Sequence, residues 1–370
     1  MNRDVASVSS PPDYPLLANT VHTRLSFPAK LVSCQALAGD ASNRRYFRLS
    51  LEESEVPSLI VMQLADREGF KASEEAVSGG DGDITELPFL NVLRHLQPLD
   101  LAVPTLHYHD EPAGLLYLED FGDMTLAEAC ACADPKTIER LYAQAIDTLV
   151  QIHLHATSRS SPSCIAHGRS FDVSLLMWEF EHFLEYGVVA RQGKPMCSED
   201  YLVVHDEFQK IADIIVAQPQ VFTHRDYHSR NLMVDGERLG VIDFQDALLG
   251  PATYDLASLL RDSYIALDDT VLDQMIERYI QGMSEGLEST RRQSMLLDDP
   301  VAFRRLFDLT SLQRNLKAAG RFVYIDRVKH NPTFLPDIPR TLGYVQRNLE
   351  AYPELKPLLT HLSPYVPEWQ

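Results

Sequence analysis

The chain has 370 residues, 45% of them hydrophobic and 23% charged, which is too long for one ordinary core and too apolar for wholesale disorder. Its 33 Lys and Arg against 53 Asp and Glu give a formal charge of −20, a field that repels phosphate backbones and argues against nucleic-acid binding as the main task. Five cysteines at irregular spacing form no disulfide framework and suit a reducing compartment, and the Cys130/Cys132 pair lacks the second pair that zinc would need.

The first twenty residues lack the apolar core of a signal peptide, and no run approaches the ~18 apolar residues of a membrane span. A cytoplasmic, monomeric protein acting on a small molecule, with no membrane partner, is expected. Ser9, Ser10, Pro11, Pro12 and Pro15 make residues 1–20 read as a flexible tail. Between Lys30 and Met62, LVSCQALA, RRYFRLS and SLIVMQLA predict three antiparallel strands, the first two joined by the polar turn GDASN. Residues 66–85 are charged and Gly-rich at their end, as in a surface excursion. LPFLNVLRHLQ then places Phe89, Leu90, Leu93 and Leu96 at helical spacing, and VPTLHYHD and GLLYLEDFGD predict two more strands. A small first lobe over 21–118 follows, with five strands and one helix.

Beyond it, residues 119–370 carry a period of 3.6, with amphipathic stretches at 135–156, 171–188, 199–217, 253–267, 269–286 and 301–319. The second lobe is therefore mainly helical. His153 and His155 lie two positions apart on one of these stretches and face different sides, which suits hydrogen bonding in a core rather than a metal pair. In LLMWEFEHF, Trp178 and Phe180 to Phe183 read as helix packing.

One segment, residues 221–262, interrupts the helices. LMV and LGVI flank an Asp-Gly, a strong hairpin signal. With the turn centred on Glu237, Asn231 falls opposite Asp243, so an amide oxygen and a carboxylate meet at one end. These are hard oxygen ligands of the kind Mg²⁺ accepts beside phosphate and water. Asp226, five residues before Asn231, is placed for a general base, the group that phosphoryl transfer needs to orient and deprotonate an acceptor hydroxyl.

His224-Arg225-Asp226-Tyr227-His228-Ser229-Arg230-Asn231 has the spacing of a kinase catalytic loop, and Asp243-Phe244-Gln245 stands where kinases have D-F-G. The short interval between them and the following GPATYDLA resemble the aminoglycoside phosphotransferase (APH) family of small-molecule kinases. GDASNRRYFRL, YDLASLLRDSY and LQRNLKAAGRF are further similar to the bacterial N-acetylmuramate/N-acetylglucosamine anomeric kinases of peptidoglycan recycling. The resemblance spans roughly residues 30–350. It implies an α+β, bilobal protein-kinase-like fold, with a small antiparallel-sheet N-lobe, a larger helical C-lobe, and ATP and Mg²⁺ as cofactors. Carried over by position, Asp226 is the catalytic base, Asn231 and Asp243 hold the metal, and His224 and Asp255 support the loop. Arg225, counted with Asp226 as catalytic, stands where many antibiotic kinases have Gly, a departure that favours a different acceptor pocket, and His228 and Arg230 are the candidates to face substrate.

The pattern also departs from its template. Kinases hold the α- and β-phosphates with a Lys on the third strand, where this chain offers Gln63. Arg44, Arg45 and Arg48 are the candidate replacements, with Gly39 and Ser42 of the turn approaching the nucleotide and the backbone from Leu116 to Leu118 receiving adenine. Glu86, at the head of the first-lobe helix, is placed either for a cation or simply for the helix dipole. Three alternatives remain open from the residues. One is an aminoglycoside, choline or homoserine kinase, and another a nucleotide-binding pseudokinase lacking the strand Lys. The third is a metal-dependent hydrolase in which His224, Asp226 and His228 share one face of a strand.

Overall fold

The computed structural model describes residues 11–37, 44–64, 86–159 and 161–370. Gly39, Ser42 and the 66–85 excursion lie outside the described residues.

The chain forms two compact units, Met1–Ala76 with Pro104–Gly122, and Val77–Val103 with Asp123–Gln370. The first is built on β1 (Lys30–Ala36), β2 (Arg45–Glu52), β3 (Ser58–Gln63), β4 (Leu106–Asp110) and β5 (Leu115–Glu119). All pairs are antiparallel, in the order β1-β2-β3-β5-β4. Phe47, Val61 and Tyr117 stand in register across the three central strands. With Leu49 and Leu59 they cluster against Leu17 and Val21 of helix α1 (Tyr14–Arg24). The flexible tail expected over 1–20 is therefore corrected for its second half. Pro15 sits in the first turn, where a missing N–H costs nothing, and Leu17 and Val21 at i, i+4 are fully buried. By strand alternation the opposite face carries Arg48, Ile60, Met62, Leu116 and Leu118, whereas Arg45 and Gln63 belong to the α1 face.

The second unit includes α2 (Pro88–Leu96), the helix expected with the first lobe. Its Phe89 stacks on Phe244 at 5.0 Å. Asn91 donates to the Ser163 carbonyl at 2.7 Å and accepts from the Ile165 N–H at 2.7 Å. The apolar spacing correctly gave a helix but carries no information about which unit the buried face joins.

Helices α3 (Leu126–Ala131), α4 (Pro135–Gln151), α5 (Val173–His182) and α6 (Ser198–Val216) precede residues 221–262. α4 and α5 each run on into a wider π-helical stretch, over Ile152–Ala156 and Phe183–Ala190. Two small sheets follow, β6 (Gln220–Thr223) with β9 (Leu248–Pro251), and the hairpin of β7 (Leu232–Asp235) and β8 (Arg238–Val241). Then come α7 (Thr253–Leu260), α8 (Asp269–Gly286), α9 (Ser289–Ser294), α10 (Pro300–Lys329), α11 (Ile338–Ala351) and α12 (Lys356–Leu362).

The stretch expected to be helical to 267 stops at Leu260. Asp262 then accepts the N–H groups of Ser229 at 2.9 Å and Tyr264 at 2.8 Å, so the chain turns where its carboxylate braces the loop after β6. α10 runs ten residues past the expected end. Gly320 does not stop it, because a Cβ there would lie 2.8 Å from the Phe183 Cα, and the glycine is what lets the two segments approach. Phe180, stacked on Phe208 at 4.0 Å, and Phe183 belong to the core here, as the packing reading of their segment requires. No helix among the described residues is long and apolar enough to cross a membrane.

Candidate active site

The loop after β6 is held by its backbone. Asp255, fully buried in the first turn of α7, accepts the His224 N–H at 2.6 Å on one oxygen and the Arg225 N–H at 2.9 Å on the other. Such charge-assisted bonds are the strong ones, and they offset the cost of a non-glycine residue in the left-handed region, where Arg225 has φ 79°. His153 stands behind Asp255. Its Nε2 lies 3.4 Å from the carboxylate and its Nδ1 2.6 Å from the Tyr279 hydroxyl, so the tyrosine donates to the imidazole and the imidazole to the aspartate. His153 thus has the buried hydrogen-bonding place expected of it. The π-helical stretch beginning at Ile152 carries it there.

His224 orders the next turn. Its Nδ1 accepts the Asp226 N–H at 3.3 Å, which leaves Nε2 protonated to donate to the Ile242 carbonyl at 2.9 Å. Both ring nitrogens are consumed within the protein. The hydrolase arrangement of His224, Asp226 and His228 around a metal therefore loses one of its ligands.

The hairpin register corrects the expected centre. Leu232 pairs with Val241 and Asp235 with Arg238, so the turn is Gly236-Glu237, with Gly236 at φ 60°. Asn231 consequently faces Ile242, whose N–H donates to the Asn231 carbonyl at 3.1 Å. Asp243 lies one residue further and has φ 66°, which returns its carboxylate to 3.4 Å from the Asn231 Nδ2. The two residues still meet, through a strained turn rather than through direct pairing. The same Nδ2 also donates to the Asp226 carbonyl at 3.0 Å. With its nitrogen engaged, the amide has its oxygen as the remaining donor atom, beside the Asp243 carboxylate. That pair fits a hard divalent cation.

Burial pushes the Asp226 carboxyl up, but the charges of Lys317, of His228 when protonated in acid, and of Arg225 and Arg314 outweigh it and hold the group well below the usual carboxylate range. It is an anion at neutral pH. Burial lowers His228 to about 4 against the pull of Asp262 and Asp226, so its imidazole is neutral, and its Nδ1 is buried without a hydrogen-bond partner. The ring meets Tyr264 edge-on at 5.4 Å, and the Arg230 guanidinium lies 3.6 Å over the same tyrosine and 5.5 Å from Phe334. His228, Arg230, Tyr264 and Phe334 form one cation and aromatic surface next to the loop.

A further buried group was missed in the sequence. Glu179 of α5, fully buried, holds Arg225 at 3.2 Å and Lys317 of α10 at 3.3 Å, and accepts from Gln313 at 2.8 Å. Glu179 lies inside LLMWEFEHF, where the aromatic residues dominate the pattern. A lone acid on an apolar helical face was the available signal.

In the first unit, Arg48 is bound by Asp120, through Nε at 2.6 Å and a second nitrogen at 3.0 Å. Arg45 lies with its guanidinium 5.1 Å from the Phe47 ring and directly opposite Gln63. Arg44 immediately precedes β2, and Leu118 is buried on the face that also carries Arg48. Glu86 pairs with Arg94 and accepts from Asn91 at 3.2 Å, within its own helix region.

A second cluster, His95, Cys164 and His167, gathers its side chains closely enough to suggest a metal. Its hydrogen bonds say otherwise. His95 Nε2 pairs with the Ala156 carbonyl at 2.9 Å, and His167 Nδ1 accepts the Ser161 N–H at 3.3 Å, which leaves its Nε2 carrying the proton.

The phosphotransferase enzyme family matches residues 33–291 of the chain. An N-acetylmuramate/N-acetylglucosamine kinase of Pseudomonas putida is 30% identical over 332 residues, covering 88% of this chain and 86% of that protein. One of Neisseria meningitidis serogroup B is 29% identical over 342 residues, 92% of each chain. Among solved structures, a choline kinase from Cryptosporidium parvum superposes with a TM-score of 0.60 at 13% identity, over 94% of this chain and 99% of that one. An ADP-bound aminoglycoside phosphotransferase gives 0.52 at 15% identity, over 93% and 98%. The fold is thus the expected α+β, protein-kinase-like one, with an antiparallel sheet followed by a mainly helical part.

Proposed function

The chain belongs to the phosphotransferase enzyme family, and from that premise we propose that it transfers the γ-phosphoryl group of ATP to the anomeric hydroxyl of N-acetylmuramate or N-acetylglucosamine, acting as a cytoplasmic monomer. The substrate class follows the names of its relatives over about nine-tenths of the chain. The observation that carries the chemistry is the convergence of Asp226, Asn231 and Asp243 on one braced loop.

Asp226, ionised and held by the loop, orients the acceptor hydroxyl and takes its proton as the sugar oxygen attacks the γ-phosphorus. The new P–O bond forms while the bond to the β-phosphate oxygen breaks, and ADP leaves. Asn231 Oδ1 and the Asp243 carboxylate would hold Mg²⁺, which when bound offsets charge on the phosphates. His224 and Asp255 keep the loop backbone in place, and Arg225 stands between that backbone and Glu179. His228 and Arg230 present a neutral imidazole and a stacked guanidinium to the acceptor. Arg48 and Leu118, which share the sheet face away from α1, would meet the nucleotide. Arg44, just before β2, stays in this set, whereas Arg45 lies opposite Gln63 on the α1 face and does not.

Purified protein incubated with Mg-ATP and N-acetylmuramate, N-acetylglucosamine, kanamycin, choline or homoserine tests the reading. Release of ADP with phosphate on the anomeric oxygen of an amino sugar is expected. Turnover with the other acceptors alone would keep the mechanism and replace the substrate, and nucleotide binding without any turnover would remove both.

A further inference from the structure

The cluster around Glu179 lies outside the motif that carries the chemistry, yet it is tied into that motif. Glu179 is fully buried on α5, and a buried carboxylate persists as an anion only when cations and hydrogen bonds answer it. Arg225 and Lys317 both approach one of its oxygens, and Gln313 occupies the other. The carboxylate therefore has one orientation, and it joins α5, α10 and the catalytic loop at a single point.

Arg225 is the residue immediately before Asp226. Its backbone is held by Asp255 and its side chain by Glu179, so two buried carboxylates grip the same residue from opposite ends. That double grip falls on a φ of 79°, a region that residues other than glycine enter only when the surroundings impose it.

We propose that Glu179 is a positioning residue for phosphoryl transfer: by gripping the Arg225 guanidinium it holds the left-handed turn that sets the Asp226 carboxylate. The inference rests on the assignment of Asp226 as the base.

The test is a double-mutant cycle on the full chain, with kcat and both KM values measured for wild type, Glu179→Gln, Arg225→Gly and the double variant. Arg225→Gly suits the cycle because glycine adopts the positive φ without strain and leaves Glu179 no guanidinium to hold. Glu179→Gln is expected to lower kcat by about tenfold or more with both KM values within about twofold, and the double variant should be no slower than Arg225→Gly alone. Losses that multiply, or a kcat within about twofold of wild type, would overturn the inference. So would a drop in Tm with kcat per folded molecule intact. If Glu179→Gln does not fold, Gln313→Leu frees one carboxylate oxygen while keeping the charge. It should slow the wild-type background and not the Arg225→Gly background, and equal slowing in both is the contrary result. The underlying reading fails differently, through a wild type inactive on every acceptor or an Asp226→Asn variant as active as wild type. Those outcomes remove the inference together with the reading, whereas an unaffected Glu179→Gln removes the inference alone.

Discussion

Arg48 on β2 and Asp120 just beyond β5 form a two-pronged ion pair, with nitrogen to oxygen distances of 2.6 and 3.0 Å. The acid is almost wholly buried and the guanidinium about one-fifth exposed. Burial alone would push the Asp120 carboxyl up, but Arg48, Ser58 and the Gly122 N–H outweigh it and hold the group below its ordinary value. A depressed carboxylate contributes stability that is complete above its unfolded value and is lost as pH falls through the folded one. Arg48→Met should therefore destabilise the protein by about 2 kcal/mol at pH 7, with the deficit shrinking at acid pH. Urea titrations at pH 7 and at pH 3 measure this, and an equal deficit at both would contradict it.

Asp226→Asn keeps the size of the side chain and removes the proton acceptor. Folding and nucleotide binding should be nearly unchanged and turnover lower by at least ~10². Steady-state rates with a melting curve on the same preparation decide it, and unchanged turnover would refute the assignment.

Asp243→Ala should abolish Mg²⁺-dependent catalysis, since the carboxylate is the charged member of the proposed metal pair. A Mg²⁺ titration indistinguishable from wild type would count against it.

Asp255→Ala leaves the N–H groups of His224 and Arg225 and the ring of His153 without their shared acceptor. Each buried orphan costs about 1–3 kcal/mol, so a loss of about 3 kcal/mol or more is expected, with activity lost in parallel. Chemical denaturation reads the stability, and a loss under 1 kcal/mol would show that the loop holds itself.

Gly320→Ala brings a Cβ to 2.8 Å from the Phe183 Cα and 3.1 Å from its nitrogen. Backbone cannot swing away as a side-chain tip can, so the gain in helix propensity should be outweighed by about 1–3 kcal/mol of overpacking. A raised Tm for this variant would be the contrary result.

The order of strands and helices was legible because period 2 and period 3.6 are properties of neighbouring residues. Partners in space were less so. Val61 and Gln63 belong to the same face of β3, and knowing that α1 covers this face required the sheet. The position of Gln63 as the missing lysine loses its force once that face is seen to be the covered one.

The candidate residues for the chemistry were written in a short segment. Asp226, Asn231 and Asp243 fall within eighteen residues, and their spacing around one hairpin sufficed to bring them together even though the turn centre is shifted by half a residue. What the order of residues could not express is the brace around them. Asp255, Asp262, Glu179 and Lys317 approach the loop from α7, the turn after it, α5 and α10. A buried charge is settled by whatever lies within a few ångströms of it, and helices distant in the chain provide those neighbours only once the core has packed. Residue types and local spacing thus determined which side chains are the candidates for phosphoryl transfer, while tertiary packing decided their orientation and charge, because hydrophobic periodicity directs a helix to bury a face without specifying the polar group it must meet there.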